Sequence, residues 1–140
     1  MMDDAPLDIK ALRDAVAALG RALRVYEHAD NLDADVFETL RAGVIQSFEV
    51  AYEVAWKMMK RWLEINVSPT LFEGTTKKEL FRHAAENHLI ADTVPWFDFH
   101  RSRNITEHTY NLTNAKIAAE LARKFFLEVT DFLTRLERRL

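Results

Sequence analysis

Hydrophobic side chains recur every three or four residues along most of the chain, which is the spacing of helices that bury one face. The pattern predicts five helices, at about residues 8–28, 34–66, 76–89, 92–110 and 114–139. Asp33 is expected to cap the second helix, and Thr76 with Glu79 forms a capping-box pattern at the third. The second helix is the longest and is therefore expected to be central.

The predicted inward faces are most distinct on the first, second and last helices. They contain Ile9, Leu12, Val16, Leu19 and Leu23; Val36, Leu40, Val44, Phe48, Ala51, Ala55, Met59 and Leu63; and Ile117, Leu121, Phe125, Val129, Phe132, Leu136 and Leu140. Glycine and proline are scarce, with three of each, which favours long helices over a turn-rich β fold. We predict an all-α protein: an antiparallel up-and-down four-helix bundle with one extra short helix, forming a single domain over residues 1–140.

Composition excludes several classes of site. There is no cysteine, so neither a disulfide framework nor a thiolate metal site is expected. His83 and His88 are expected on different helix faces, as surface or partly packed side chains rather than metal ligands. Without an apolar run of about 18 residues or a recognisable signal peptide, we expect no membrane span and a cytoplasmic location.

Charge is distributed unevenly along the chain. The net charge of −3 argues against a general nucleic-acid coat protein. Residues 1–54 contain 11 acidic and 5 basic residues, whereas residues 55–140 contain 11 acidic and 14 basic ones. The second part is therefore mildly basic, which permits an RNA contact without requiring one.

The densest run of functional side chains extends from Arg103 to Tyr110. On a helix, Glu107 and Tyr110 fall within about 40° of Arg103, whereas Asn104 and His108 fall at about 100° and 140°. These residues form a polar ridge, and Asn104 lies one turn before His108, where its amide could orient the imidazole.

The ridge combines groups that suit cleavage of an RNA backbone without a metal or another cofactor. An arginine matches a phosphate in a bidentate fork, and a histidine exchanges protons near neutral pH. Arg103 and His108 diverge by about 140° on one helix, so a shared site is easier to build when two copies face each other. We therefore predict a homodimer with the ridge at or beside its interface.

Other interpretations of these polar residues remain open. Arg103 and Glu107 could form a surface ion pair, with His108 solvated and Tyr110 half-buried. On the second helix, Glu53 is expected to form helix-stabilising pairs, whereas Glu49 could do the same or face the ridge and support it. Upstream of the ridge, His100 and Arg101 are expected to be exposed.

The segment Arg103-x4-His108-x-Tyr110, with Asn104 after the arginine, resembles the motif of the HEPN superfamily. Phe48-Glu49, Tyr52-Glu53 and Ala55-Trp56-Lys57 resemble the second-helix signature of one branch, the nucleotidyltransferase substrate-binding protein family, which is closely related to the HepT toxins. Trp96 also fits, and the resemblance covers about residue 7 to the end.

The resemblance implies a toxin that cleaves RNA and is encoded beside a minimal nucleotidyltransferase acting as antitoxin. It implies catalytic roles for Arg103 and His108, and adenylylation of Tyr110 by the partner. The alternative implied by the family name is a non-catalytic subunit that binds substrate or nucleotide for a separate nucleotidyltransferase chain. A helical adaptor with a decayed site is a third, weaker interpretation because the ridge is intact.

Overall fold

A computed structural model describes residues 7–30, 33–108 and 112–140, with side chains for these residues except 105–108 and 112–114. The described residues form five helices and no strand, which confirms the all-α prediction. The helices are α1 (Lys10–Glu27), α2 (Ala34–Asn66), α3 (Lys77–Glu86), α4 (Thr93–His108) and α5 (Leu112–Glu137). None of the helices in this part of the chain is long and apolar enough to cross a membrane.

Local capping chemistry fixes the start of α2 and α3 as predicted. The Asp33 carboxylate accepts a hydrogen bond from the Asp35 backbone N–H at 2.8 Å. The Thr76 hydroxyl accepts from the Glu79 N–H at 3.2 Å, and the Glu79 carboxylate accepts from the Thr76 N–H at 3.4 Å. These bonds satisfy backbone donors that the first helical turn leaves without a partner.

The third helix ends three residues earlier than predicted because His88 takes a left-handed backbone conformation, with φ of 61°. The His88 N–H donates to the Ala85 carbonyl at 3.0 Å and the Leu89 N–H to the Ala84 carbonyl at 2.9 Å. This is the Schellman arrangement, which usually has glycine at the left-handed position. A histidine at this position does not indicate a helix end in the sequence, so the predicted third helix extended to Leu89.

Two arginines from the end of α5 bind the turn that follows α3. Arg135 donates to the His88 carbonyl at 3.2 Å, Arg139 donates to the Asn87 carbonyl, and the Arg139 guanidinium lies 5.3 Å from the centre of the Trp62 indole. These contacts satisfy carbonyls that lie past the last turn of a helix. They join the carboxyl end of α5 to the α3–α4 connection.

The core lies around α2, which contacts each of the other four helices. The largest fully buried side chains of the core are mostly aromatic. Phe125 packs edge-on against Phe48, Phe99 and Trp96, with ring centres 5.0–5.7 Å apart. Such edge-to-face pairs add to the stabilisation from buried area. Trp96 and Phe99 are therefore part of the core and do not form an exposed stacking surface.

All five predicted inward residues of the first helix are buried, with Ile9 directly before α1 and the other four within it. Three predictions on the other helices are wrong. Val36, Ile117 and Leu140 are exposed. Val36 lies in the first turn of α2, and Leu140 follows the end of α5. Ile117 is displaced from the core because the buried stripe of α5 starts one residue later, with small alanines that permit close helix packing. These are Ala118, Ala119 and Ala122.

Gly20 marks a close approach of α1 to α5. A Cβ atom at this position would lie 3.0 Å from the Phe126 ring, closer than ordinary van der Waals contact. A glycine inside a helix ordinarily weakens it. The structure shows instead that the missing side chain makes room for an aromatic ring of the neighbouring helix.

Candidate active site

Arg103 lies on α4 with its side chain turned toward α2, where only 16% of it is exposed. Its Nη1 atom is 3.7 Å from a Glu49 carboxylate oxygen, and its Nε atom is 3.8 Å from a Glu53 carboxylate oxygen. The guanidinium therefore forms ion pairs with two carboxylates of a different helix. The alternative, an ion pair between Arg103 and Glu107, stays a prediction because the Glu107 side chain lies outside the described residues.

The two glutamates reach Arg103 because residues four apart share one face of a helix. The prediction that Glu53 only forms pairs within α2 is wrong, and Glu49, which was open, also contacts Arg103. The Trp56 indole N–H donates to the second oxygen of Glu53 at 3.0 Å, which fixes the orientation of that carboxylate. The second-helix signature and the arginine of the fourth-helix motif thus meet in space.

A hydrogen bond between Tyr52 and His100 lies beside these ion pairs. The Tyr52 phenol oxygen is 2.7 Å from His100 Nδ1. Burial, followed by the nearby Glu53 carboxylate, raises the pKa of the Tyr52 phenol well above its usual range. Burial, followed by Lys77 and Lys78, lowers the pKa of His100. Both shifts favour neutral partners, with the Tyr52 O–H donating to an unprotonated Nδ1.

The prediction that His100 is exposed is therefore wrong: its ring is half-buried and held by Tyr52. The first turn of α3 contributes as well, because the Lys77 ammonium lies 3.7 Å from the centre of the Trp56 indole. We call Glu49, Tyr52, Glu53, His100 and Arg103 the Arg103 cluster. It gathers residues from α2 and α4 that lie far apart in the sequence.

The other ridge residues are described in part. Asn104 is exposed, as its position next to the inward Arg103 requires. Arg101 is exposed as predicted and lies 3.7 Å from the Asp98 carboxylate. The side chain of His108 and all of Tyr110 lie outside the described residues. Their roles, and the meeting of Arg103 with His108 across a dimer, stay predictions.

The remaining histidines of α3 and its turn do not form a metal site with other described residues. His83 is half-buried, packs edge-on against Phe72 at 5.0 Å and lies 3.6 Å from the Glu86 carboxylate. His88 is exposed, so both positions are as predicted. Across the described ranges, no three histidine, aspartate or glutamate side chains are grouped as metal ligands would be.

The cluster supplies one positioned cation, two carboxylates that fix it and a neutral Tyr–His pair. Comparison with known proteins places the chain in a family. The sequence profile described as "Nucleotidyltransferase substrate binding protein like" matches residues 7–138. The chain belongs to this family. The predicted resemblance to the nucleotidyltransferase substrate-binding proteins is therefore confirmed.

Similar proteins agree with this membership. The chain is 37% identical over 105 residues to a Haemophilus influenzae protein named probable ribonuclease HepT, covering 74% of this chain and 72% of that protein. A solved Haemophilus influenzae structure, described as the fold of a substrate-binding domain of a nucleotidyltransferase, is 31% identical with a TM-score of 0.87. The match covers 93% of this chain and 99% of that one.

A crystal structure from Thermus thermophilus gives a TM-score of 0.72 at 24% identity. It covers 89% of this chain and 98% of that one, and it supports the fold alone. The helical fold is thus shared with both solved structures, including one with low sequence identity.

Proposed function

We propose that this chain is the HEPN subunit of a two-component toxin–antitoxin module and acts as a metal-independent RNA endonuclease. Arg103 and His108 are the proposed catalytic residues, with Asn104 and Glu49 in support. The partner is a minimal nucleotidyltransferase, as the family description suggests, and the activity is silenced by adenylylation of Tyr110. A relative named as a probable ribonuclease supports the activity.

The observation that carries the proposal is the fixed position of Arg103. Its guanidinium is mostly buried and lies within 4 Å of two carboxylates, Glu49 and Glu53. A cation that is oriented before the substrate binds can stabilise charge in a transition state without the cost of reorganisation. An exposed arginine on a flexible surface would not offer this advantage.

The chemistry needs a proton carrier and a cation. The RNA 2′-hydroxyl attacks the adjacent phosphorus, so a 2′-oxygen–phosphorus bond forms while the bond from phosphorus to the 5′-oxygen breaks. The His108 imidazole accepts the 2′-hydroxyl proton, and a water molecule gives a proton to the 5′-oxygen as it leaves. Arg103 stabilises the negative charge on the non-bridging oxygens. The products carry 2′,3′-cyclic phosphate and 5′-hydroxyl ends.

A cleavage assay tests the enzyme directly. Purified protein is expected to cut single-stranded RNA in the presence of EDTA and to leave 2′,3′-cyclic phosphate ends. His108→Ala should abolish cutting, whereas His28→Ala, a change at an exposed histidine, should leave it unaffected. Cutting by His108→Ala at the wild-type rate would contradict the proposed proton transfer.

The proposed site requires two copies of the chain. Arg103 and His108 diverge by about 140° around α4, so each copy would supply one group to a site on the two-fold axis. Light scattering coupled to size-exclusion chromatography should therefore give a dimer. A strict monomer at assay concentration would contradict a site shared between two copies.

The modification has its own test. A nucleotide on Tyr110, about 20° from Arg103 around the helix, would cover the cation and add negative charge where RNA phosphate must bind. Co-expression with the partner nucleotidyltransferase should add the mass of AMP. Tyr110→Phe should lose this addition and Tyr26→Phe should keep it. No mass change in the wild-type chain would contradict the modification.

A non-catalytic subunit that binds substrate for a nucleotidyltransferase is the second candidate. In this candidate, Arg103, Asn104 and His108 hold a phosphate or nucleotide without cleaving it. The description of the 31% identical structure as a substrate-binding domain points the same way. RNA binding by the wild type without cutting, weakened in Arg103→Ala/His108→Ala, would favour this candidate.

A further inference from the structure

A second polar site lies between α1, α2 and the first half of α5. It is a cavity of about 520 Å³, within the range of pockets that bind small ligands. Its described lining is mixed, with aromatic and aliphatic side chains at one side and cations at the other. The lining residues are Leu23, Tyr26, Phe37, Arg41, Lys116, Ala119, Glu120, Arg123 and Lys124.

Arg41 is the unusual member of this lining because only 5% of it is exposed. Its guanidinium carbon lies 5.5 Å from the centre of the Phe37 ring. Within the described part of the chain, this guanidinium has that aromatic contact but no salt bridge or hydrogen bond. A buried cation is costly unless an opposite charge pairs with it. The surroundings of Arg41 therefore favour an anion.

The cavity rim adds more positive charge. Lys116, Arg123 and Lys124 project from exposed positions of α5, against one lining carboxylate, Glu120. Arg123 is partly offset by Glu27, whose carboxylate accepts from its Nε at 2.7 Å. A cleft with cations over a low-dielectric floor concentrates anions, even in a chain of net charge −3.

An aromatic wall stands beside the cations. The Tyr26 and Phe37 ring centres are 5.1 Å apart with planes tilted by 32°, and both side chains are half-buried. Half-exposed rings next to cations suit a ligand that has both a planar base and a phosphate. We propose that this cavity binds one nucleotide unit, with phosphate at Arg41 and the rim cations and base at the Tyr26–Phe37 wall.

The nucleotide could be free or part of an RNA strand. Arg41 precedes Glu49 by eight residues on α2, a rise of about 12 Å. About four stacked nucleotides would cover that length. A strand held in the cavity could therefore extend toward the Arg103 cluster. This extension rests on the proposed ribonuclease, whereas nucleotide binding in the cavity does not.

Binding is best measured in a His108→Ala background, so that cleavage cannot consume the probe. The probes are AMP and a ten-nucleotide single-stranded RNA, followed by calorimetry and fluorescence anisotropy. One test variant, Lys116→Ala/Arg123→Ala, removes two exposed rim cations and one exposed ion pair. Its matched control, Lys10→Ala/Arg138→Ala, also removes one lysine, one arginine and one exposed ion pair, but far from the cavity.

The second test variant is Arg41→Met, which separates ligand binding from folding. Because the buried guanidinium has no carboxylate partner among the described residues, an apolar replacement should leave the melting temperature unchanged or raise it. Both test variants should weaken binding at least about tenfold, and the control should bind as the parent does. Binding of AMP would identify a free nucleotide as the source, and binding of the RNA alone a strand.

Three results would overturn the proposal. These are no binding of either probe by the parent protein, unchanged binding in both test variants, or equal weakening in the control. A crosslinking map gives an independent check with an RNA containing 4-thiouridine. Crosslinks within residues 23–41 or 116–124 support the cavity, whereas crosslinks confined to residues 96–108 contradict it. No RNA cleavage by the wild-type protein, together with crosslinks at the cavity, would count against the ribonuclease and leave the cavity proposal standing.

Discussion

Arg103 and Arg41 are both largely withdrawn from solvent, but their surroundings are opposite. Arg103 lies within 4 Å of two carboxylates. Arg41 lies over an aromatic ring in a cavity whose other charged lining is mostly basic. A cation paired with carboxylates, such as Arg103, is held in one position. A cation without such a pair, such as Arg41, attracts an anion from solution more strongly. The difference suggests positioning of a reacting phosphate at Arg103 and ligand capture at Arg41.

The largest expected effect is on cleavage when Arg103 is removed. Arg103→Ala should lower kcat for RNA cleavage by at least about a hundredfold, because transition-state charge loses its fixed donor. Initial rates at saturating RNA measure this effect. Arg101→Ala is the matched control, since Arg101 is exposed and only two residues away. If both variants lost activity equally, Arg103 would have no special role.

The two carboxylates should matter less, and in a characteristic way. Glu49→Gln/Glu53→Gln keeps the side-chain shapes but removes the charges that hold the guanidinium, so kcat should fall about tenfold. KM should stay the same or decrease, because negative charge near the RNA is removed. Glu38→Gln/Glu64→Gln makes the same charge change elsewhere on α2. A rise in KM with unchanged kcat would indicate that the glutamates serve binding instead of positioning.

The packing of α1 against α5, which borders the Arg41 cavity, can be tested with two glycines. Gly43→Ala has open space around it and should raise the free energy of unfolding by about 0.5–1 kcal/mol through helix propensity. Gly20→Ala gains the same propensity but presses on Phe126, so it should be about 1 kcal/mol or more less stable than Gly43→Ala. Urea unfolding of both variants gives the difference. Equal stabilities would mean that the Phe126 ring moves aside freely.

The smallest expected effect is a pH dependence from His100. Because its pKa is lowered in the folded protein, the unfolded chain binds the proton more tightly. Stability should therefore decrease as the pH falls from about 7.5 through the ordinary histidine value of about 6.5. His100→Gln should reduce this slope in urea unfolding, whereas His28→Gln, at an exposed site, should not. An unchanged slope in His100→Gln would show that burial does not favour the neutral ring.

Features that depend on neighbouring residues in the sequence could be predicted well. The bounds of α2, the caps at Asp33 and Thr76 and the inward face of α1 all follow from local chemistry and periodicity. Ile117 was predicted on the inward face although Ala118 is buried there, because the apolar side chain of Ile117 fits a helical stripe as well as the small Ala118 does. Only the packing of α5 against other helices chooses between these two faces.

The candidate site could be predicted in part. Arg103 and Glu49 were identified from motif positions, but their contact depends on how α4 lies against α2. The burial of His100 likewise depends on Tyr52, which is 48 residues away in the sequence. Arg41 gave no signal, because an isolated arginine on a long helix is ordinarily solvated. Tertiary packing, which periodicity does not encode, decides each of these cases.

The contacts of Arg135 and Arg139 with the turn after α3 have a practical consequence for protein engineering. A purification tag or fluorescent protein fused directly after Leu140 would begin two residues beyond Arg139. It would crowd the guanidinium that holds the turn leading into α4.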